Sequence, residues 1–330
     1  MKSLILAAGF GTRLRPITDN IPKPLVKFCG IPTLDIILAK LSNSQLTDIA
    51  INSHYLSNNL IKHLENRPNL NIHISVESEI LGTGGCINPI RPWLNDDPLL
   101  IYNGDVISDI DLNRAVDEFK QKQPEAMMVL LPTCLPGKNP VCMEGNTVIS
   151  IGHEKIQDSQ RISKHTFTGV HIISQKFIQT LAPSGSYSII ETYKKIIRDG
   201  GTIIGFVHNG FWHDLGSPKG FLEAHIDMVD KDILSNDNTG ISAAVSLFGH
   251  RPPVVSATDG LPSITDLEPS DLPSTIKWGS NTFVFGSRLS GPQNISVSNC
   301  IVNDYTNEMP SQNIDGALLY NNSILPIQLE

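Results

Sequence analysis

Two glycines and three cations crowd one turn near the start of the chain: Gly9, Gly11, Arg13, Arg15 and, a few residues on, Lys23 between Pro22 and Pro24. Glycines let successive backbone N–H groups approach phosphate oxygens, while arginine and lysine add full positive charge. That combination suits a nucleoside triphosphate. The apolar run from Ser3 to Ala8 reads as a buried parallel strand, so the turn opens at the strand's carboxyl end, the edge where open α/β sheets bind ligands. Two other phosphate-binding patterns do not fit. Leu14 stands where a dinucleotide fold needs its third glycine, and the Gly-x-x-x-x-Gly-Lys-Ser/Thr pattern is absent. A plain turn with solvated basic residues is the remaining alternative.

The block Leu6-Ala7-Ala8-Gly9-Phe10-Gly11-Thr12-Arg13-Leu14-Arg15-Pro16, followed by Pro22-Lys23-Pro24-Leu25, resembles the signature of the sugar-1-phosphate nucleotidyltransferases. These enzymes make nucleotide-sugars and release pyrophosphate. The resemblance covers about residues 1–229 and includes mannose-1-phosphate guanylyltransferases and related heptose and amino-sugar members. It implies that Leu6, Ala7, Ala8, Gly9, Gly11 and Thr12 line the nucleotide. It also implies that Arg13 meets the leaving pyrophosphate and Lys23 the phosphates near the reacting centre, with Arg15 a third candidate cation.

In such a reaction the sugar phosphate oxygen attacks the α-phosphorus in line, and little proton transfer has to be arranged. Catalysis then rests on positioning and charge neutralisation, with a magnesium ion held by few carboxylates. Asp105, in Asn103-Gly104-Asp105 after the apolar run Leu99 to Tyr102, and Asp214, in Trp212-His213-Asp214-Leu215-Gly216, resemble the family's two metal-binding aspartates. Asp109 and Asp111 read instead as a turn and a helix start.

For the base, the block Glu77-Ser78-Glu79-Ile80-Leu81-Gly82-Thr83-Gly84-Gly85 opens a helix with glycines, and the resemblance places Glu77, Gly82 and Gly84 at the nucleotide. A carboxylate suits guanine, whose edge offers two adjacent N–H donors where uracil offers one. For the sugar phosphate, the resemblance points to Glu154 and Lys155, Gly169 and Glu191, although Ile156 replaces the proline usual after the Glu-Lys pair. The leading substrates are GTP with mannose 1-phosphate or a heptose phosphate. UTP with a hexose or amino-sugar phosphate and CTP with a phospho-alcohol stay open, as does a regulatory relative that binds nucleotide-sugar without turnover. That relative would be expected to lose Arg13, Lys23 or a metal aspartate, and all four are kept. A third alternative is acyltransferase activity in the C-terminal segment, which is too short for several coils and lacks a clear histidine motif.

The expected scaffold is α/β: a Rossmann-like, mostly parallel sheet covered by helices, formed by residues 1–234. Strands are expected at Ile49 to Asn52, Ile72 to Val76, Leu99 to Tyr102, Ala126 to Leu131, Thr166 to Ile173 and Thr202 to Val207. Helices are expected around Leu34 to Leu41, Leu56 to Leu64 and Ile189 to Arg198, and from Ser217-Pro218, where serine caps and proline occupies the first turn. Helical periodicity disappears through Ser235 to Thr275, and residues 235–330 read as a β-rich domain for docking or oligomerisation. Phe283, Leu289, Ile295 and Ile301 recur every six residues, and Leu318 to Ile324 repeats the interval. This is the pattern of inward positions in a stunted left-handed β-helix, set against an irregular tail with coincidental spacing.

Composition limits the remaining possibilities. A net charge of −8 over 330 residues argues against a general nucleic-acid binder, and no run approaches the ~20 apolar residues of a membrane span. Five widely spaced cysteines without a Cys-x-x-Cys pair read as reduced thiols of a cytoplasmic protein. No histidine pair has metalloprotease spacing. The base, the sugar, the pathway and the oligomeric state are not determined by these residues.

Overall fold

The computed structural model describes residues 1–65, 67, 69–153, 161–231, 233, 238–250, 252–255, 264–265, 276–278, 282–285, 295–303, 305, 309–310, 312, 314–320 and 322–327. They belong to two compact units. One comprises Met1–Gly9, Leu41–Val106 and Ile110–Gly210; the other comprises Phe10–Lys40, Ile107–Asp109 and Phe211–Glu330.

A nine-stranded sheet forms the first unit, in the order Asn71–Val76, Asp48–Ser53, Lys2–Leu6, Leu99–Asn103, Ile162–Ile173, Ala126–Leu131, Ile203–Val207, Thr147–Ile151 and Pro140–Glu144. Its first four strands are parallel, as expected, and Leu6 lies opposite Asn52 on one side and Asn103 on the other. Beyond them the sheet departs from the mostly parallel expectation. Ile162–Ile173 runs antiparallel to both neighbours, and the hairpin Pro140–Ile151 adds further antiparallel pairs; only Ala126–Leu131 with Ile203–Val207 is parallel there. The sheet is therefore mixed. A strand buried on both faces is a continuous apolar run whichever way its neighbour points, so Ala126–Leu131 carried no signal of direction.

The helices Ser57–Leu64, Leu112–Lys122 and Ile189–Arg198 belong to this unit. Asp111 caps the second, its carboxylate accepting from the Arg114 N–H at 2.9 Å, as read from the sequence. Leu4, Ile101, Met128, Phe177 and Tyr193 belong to one buried core.

The second unit contains most of the helix Thr33–Asn43, the pair Val106–Ser108 with Trp212–Asp214, whose first residue lies in the other unit, and the helix Pro218–Asp230. Ser217 caps that last helix, its hydroxyl accepting from the Gly220 N–H at 3.2 Å. A helix at Ile241–Phe248 falls where periodicity was expected to vanish. Eight residues give barely two turns of pattern, and Gly240 and Gly249, both left-handed, bracket them as caps.

The C-terminal strands pair mainly in parallel: Phe283 lies opposite Ile301 and Ile301 opposite Leu318, partners 18 and then 17 residues apart. Alternate side chains of a strand point to opposite faces. Phe283, Ile301, Leu318 and Tyr320 pack with Leu14 and Phe28, whereas Val284, Cys300, Val302 and Leu319 form a separate cluster. Of the six-residue series, Phe283, Ile301 and Leu318 thus pack toward Leu14 and Phe28, whereas Ile324 is 42% exposed. A period specifies a face but not which core that face meets. Leu289 lies outside the described residues.

Among the described residues no helix is long and apolar enough to cross a membrane. Cys29, Cys86, Cys142 and Cys300 are buried free thiols, and Cys134 is half-buried.

Candidate functional site

In the first unit Ala7 and Glu77, two of the residues expected at the nucleotide, belong to one hydrogen-bonded chain. The strand Lys2–Leu6 ends at Ala7, whose N–H donates to Asn52 Oδ1 at 2.7 Å. The Asn52 Nδ2 donates in turn to Glu77 Oε1 at 2.7 Å, and the Leu81 N–H donates to Glu77 Oε2 at 2.9 Å. His54 Nδ1 donates to the Glu77 carbonyl at 3.0 Å, and the Glu77 N–H reaches the Ser53 carbonyl at 2.7 Å. Glu77 and Asn52 are only 5% and 4% exposed. A buried carboxylate is tolerated when donors surround it, and two donors still leave lone pairs on its oxygens. The parallel register makes the geometry possible by bringing the ends of three neighbouring strands level.

The glycine helix Gly82–Gly85 is latched to the segment preceding Ile189–Arg198. The Gly84 N–H donates to the Tyr187 carbonyl at 3.0 Å, the Tyr187 N–H to the Leu81 carbonyl at 3.1 Å, and the Ile189 N–H to Thr83 Oγ1 at 3.0 Å. Beneath it Cys86 is no nucleophile: burial first, then the Glu77 charge, pushes its thiol far up.

Asp105 follows the strand Leu99–Asn103 and is half-buried; the preceding Gly104 N–H donates to the Leu6 carbonyl at 2.9 Å. Gly169 lies against the Asn103 side chain. Glu191 stands in the first turn of its helix, 69% exposed and 3.7 Å from Lys194 Nζ. Glu154 and Lys155 lie outside the described residues.

In the second unit the charged residues sit on short turns. Gly11 adopts φ +65°, which a side chain would strain, and its carbonyl accepts from Thr18 Oγ1 at 2.8 Å. Thr12 and Arg13 follow in an exposed single turn, and Lys23 opens another at Lys23–Leu25, half-buried. Arg15 pairs with Asp19 at 3.2 Å. Asp214 ends the strand Trp212–Asp214, and its Oδ1 accepts from the Gly216 N–H at 2.8 Å. Gly216 sits against both side chains: an added Cβ would crowd the Arg13 guanidinium and stand 2.6 Å from Asp214 Oδ1, so those side-chain ends would have to shift. Arg13 and Asp214 therefore border the same point, a cation and a hard-oxygen anion side by side.

The neighbouring His213 bonds through Nε2 to Asp227 Oδ2 at 2.9 Å, consistent with polar packing. Burial raises the Asp227 carboxyl, but hydrogen bonds from Lys231 and His213 outweigh it and the net shift is downward. Among the described residues no three His, Cys, Asp or Glu side chains are grouped to hold a metal. Asp105 and Asp214 are each half-buried, the first just after a strand of one unit and the second at a strand end of the other.

Sequence reasoning missed Asn52, Thr18 and Tyr187. Asn52 left a signal, a polar residue closing the apolar strand Asp48–Ser53 at its carboxyl end. Tyr187 left none, because its role is a backbone carbonyl.

Residues 2–231 match the nucleotidyl transferase family. The chain is 32% identical over 228 residues to a mannose-1-phosphate guanyltransferase of Emericella nidulans, covering 67% of this chain and 62% of that relative. It is 31% identical over 227 residues to the mannose-1-phosphate guanylyltransferase catalytic subunit beta of Xenopus tropicalis, covering 67% and 63%. The matched region thus spans under two thirds of these relatives. Two solved structures share the fold: HddC from Yersinia pseudotuberculosis complexed with GMP-PN, at TM-score 0.55 and 22% identity over 68% of this chain and 97% of that one, and a UDP-glucose pyrophosphorylase complexed with UDP-glucose, at 0.57 and 16% over 70% and 98%. With the glycine turn, its cations and the two strand-end aspartates all inside the matched residues, the chain belongs to the nucleotidyl transferase family.

Proposed function

We propose that the protein joins a nucleoside monophosphate from an NTP to a sugar 1-phosphate, giving a nucleotide-sugar and pyrophosphate, with GTP and mannose 1-phosphate as the leading pair. The observation that carries this reading is the Arg13–Gly216–Asp214 arrangement, where a cation and a carboxylate both lie against one glycine. The names of the relatives in the two species support the choice of substrates.

On this reading Gly9, Gly11 and Thr12 carry the phosphates, Arg13 neutralises the leaving pyrophosphate, and Lys23 neutralises charge at the reacting phosphorus. Asp105 and Asp214 are the proposed ligands of magnesium, which when bound would neutralise phosphate charge and align attacking and leaving oxygens. Glu77 retains acceptor capacity for the guanine N–H donors, on a carboxylate already fixed by Asn52 and Leu81. Leu6, Ala7, Ala8, Gly82 and Gly84 shape the base and ribose surface. Gly169, Glu191, Glu154 and Lys155 are the proposed sugar-phosphate contacts. The 17- and 18-residue spacing of partners in the C-terminal strands supports a short β-helix, and residues 235–330 are the proposed docking element.

The test is pyrophosphate release with magnesium, crossing GTP, UTP, CTP, ATP and dTTP against mannose, glucose, N-acetylglucosamine and heptose 1-phosphates. A signal that depends on both GTP and mannose 1-phosphate, and disappears in Asp105→Asn, is expected. Turnover with another pair would keep the reaction and replace the substrates; silence across the grid with nucleotide-sugar binding intact would replace catalysis with the binding-only reading.

A further inference from the structure

Lys23 is carried by a short turn closed by backbone hydrogen bonds. The Leu25 N–H reaches the Pro22 carbonyl at 2.8 Å, the Val26 N–H reaches the Lys23 carbonyl at 3.1 Å, and Thr33 bonds back to the Val26 carbonyl through both its N–H and its hydroxyl. The chain then makes a two-residue strand, Lys27–Phe28, paired antiparallel with Ile31–Pro32. Lys27 faces Pro32, which has no N–H to donate, so this ladder is intrinsically thin. The support comes from far along the sequence. Tyr320 Oη accepts the Lys27 N–H at 2.9 Å across 293 residues, and His225 Nε2 accepts the Cys29 N–H at 3.2 Å.

Both acceptors are themselves held. His225 is fully buried among Phe28, Phe221 and Phe283, and its Nδ1–H donates to the Phe221 carbonyl at 2.8 Å, which fixes the tautomer that leaves Nε2 as acceptor. Tyr320 closes the strand Ile314–Tyr320 on the face that also carries Leu318 and, from neighbouring strands, Ile301 and Phe283. That stripe packs with Val26 and Phe28, the residues that flank Lys27.

We infer that Tyr320 is a positioning residue for Lys23: through the Lys27 N–H, the C-terminal strands hold the backbone that carries the phosphate-binding lysine. This rests on the role proposed for Lys23 above and gives the C-terminal segment a part in that site's geometry. A misplaced cation weakens transition-state charge neutralisation more than ground-state sugar binding, so the loss falls on kcat.

The experiment compares the full-length protein with Tyr320→Phe, which keeps the ring and removes the acceptor, and with Leu318→Val, which trims the same packed face without touching the hydrogen bond. Three quantities are measured: thermal midpoint, amide hydrogen exchange of a peptide covering residues 22–30, and kcat and KM for pyrophosphate release from GTP and mannose 1-phosphate. Tyr320→Phe should speed exchange in that peptide at least about fivefold and lower kcat about tenfold, with KM for mannose 1-phosphate within about twofold. Leu318→Val should lower the thermal midpoint while leaving exchange at 22–30 and kcat at wild-type values. Unchanged exchange in Tyr320→Phe, or a kcat loss of the same size in Leu318→Val, overturns the inference. If the wild type turns over no nucleotide, the proposed function fails separately, and equal exchange in wild type and Tyr320→Phe, repeated with GTP present, then decides against the positioning role by itself.

Discussion

The Asn52–Glu77 pair of the first unit and the Arg13, Lys23 and Asp214 side chains of the second differ in how far they are buried. In the first, Asn52 and Glu77 are buried, bonded to each other and to the Ala7 and Leu81 N–H groups, so both side chains are held in place by protein while the Glu77 oxygens keep further lone pairs. In the second, Arg13 is exposed, Lys23 and Asp214 are half-buried, and their backbone sits on single turns and a three-residue strand. On the proposed reading a neutral flat base would meet a surface whose hydrogen bonds are formed in advance. Phosphates bring their own charge, and cations that stay near solvent avoid the cost of burying it before the ligand arrives.

Asp214→Asn tests this contrast most severely. It keeps an acceptor for the Gly216 N–H and removes the charge, so pyrophosphate release should fall about a thousandfold with the thermal midpoint little changed. A fall below tenfold would remove Asp214 from the reacting side. Asn52→Ala should do the reverse. It leaves the Ala7 N–H and one Glu77 oxygen without their partner in a buried place, so chemical denaturation should show a loss of about 2–4 kcal/mol, with KM for nucleotide raised. Stability unchanged by Asn52→Ala would mean the network is not prepaid.

Acid should act through one buried histidine in each unit. Burial lowers His171 to about 3 and His225 to about 4, so both are neutral in the folded protein, while the unfolded chain takes up protons below about 6.5. Stability is therefore lost as pH falls from about 6.5 toward those folded values, at up to about 1.4 kcal/mol per pH unit for each histidine. Urea unfolding of His171→Gln and His225→Gln between pH 7 and 5 should show shallower slopes than wild type; parallel slopes would refute it. On turnover the smallest effect is expected from Glu77→Gln, whose amide keeps one acceptor but turns an NH2 toward the Asn52 or the Leu81 donor, so stability should also fall by about 1–3 kcal/mol. The preference for GTP over UTP should narrow a few-fold, with kcat on GTP nearly unchanged. A large loss of kcat would move Glu77 to the reacting side of the comparison.

Much of the scaffold was legible because its signals are local. The helix Ile189–Arg198 and the cap at Ser217 follow from neighbouring residues, and of the first four strands three follow from short apolar runs and Asn71–Val76 from alternation. The direction of Ile162–Ile173 was not legible, since antiparallel and parallel burial demand the same residues. The helix Ile241–Phe248 was missed because so short a segment is decided by its glycine caps and its packing, not by its period.

At the site the division is similar. Gly9, Gly11, Arg13 and Lys23 were singled out by residue type and spacing, and Asp105 and Asp214 by resemblance as well, because backbone access and charge are properties of the residues themselves; their roles belong to the proposal. The sequence by itself determined the chemistry on offer, the strand ends that would present it, and a second apolar stripe far downstream. Only the tertiary structure decided that Glu77 is bound inward to Asn52, that Gly216 leaves room for Arg13 beside Asp214, and that the C-terminal stripe faces Phe28 while Tyr320 takes the Lys27 N–H. Each is a contact between residues remote in sequence, and no local preference encodes which distant acceptor a given N–H will find.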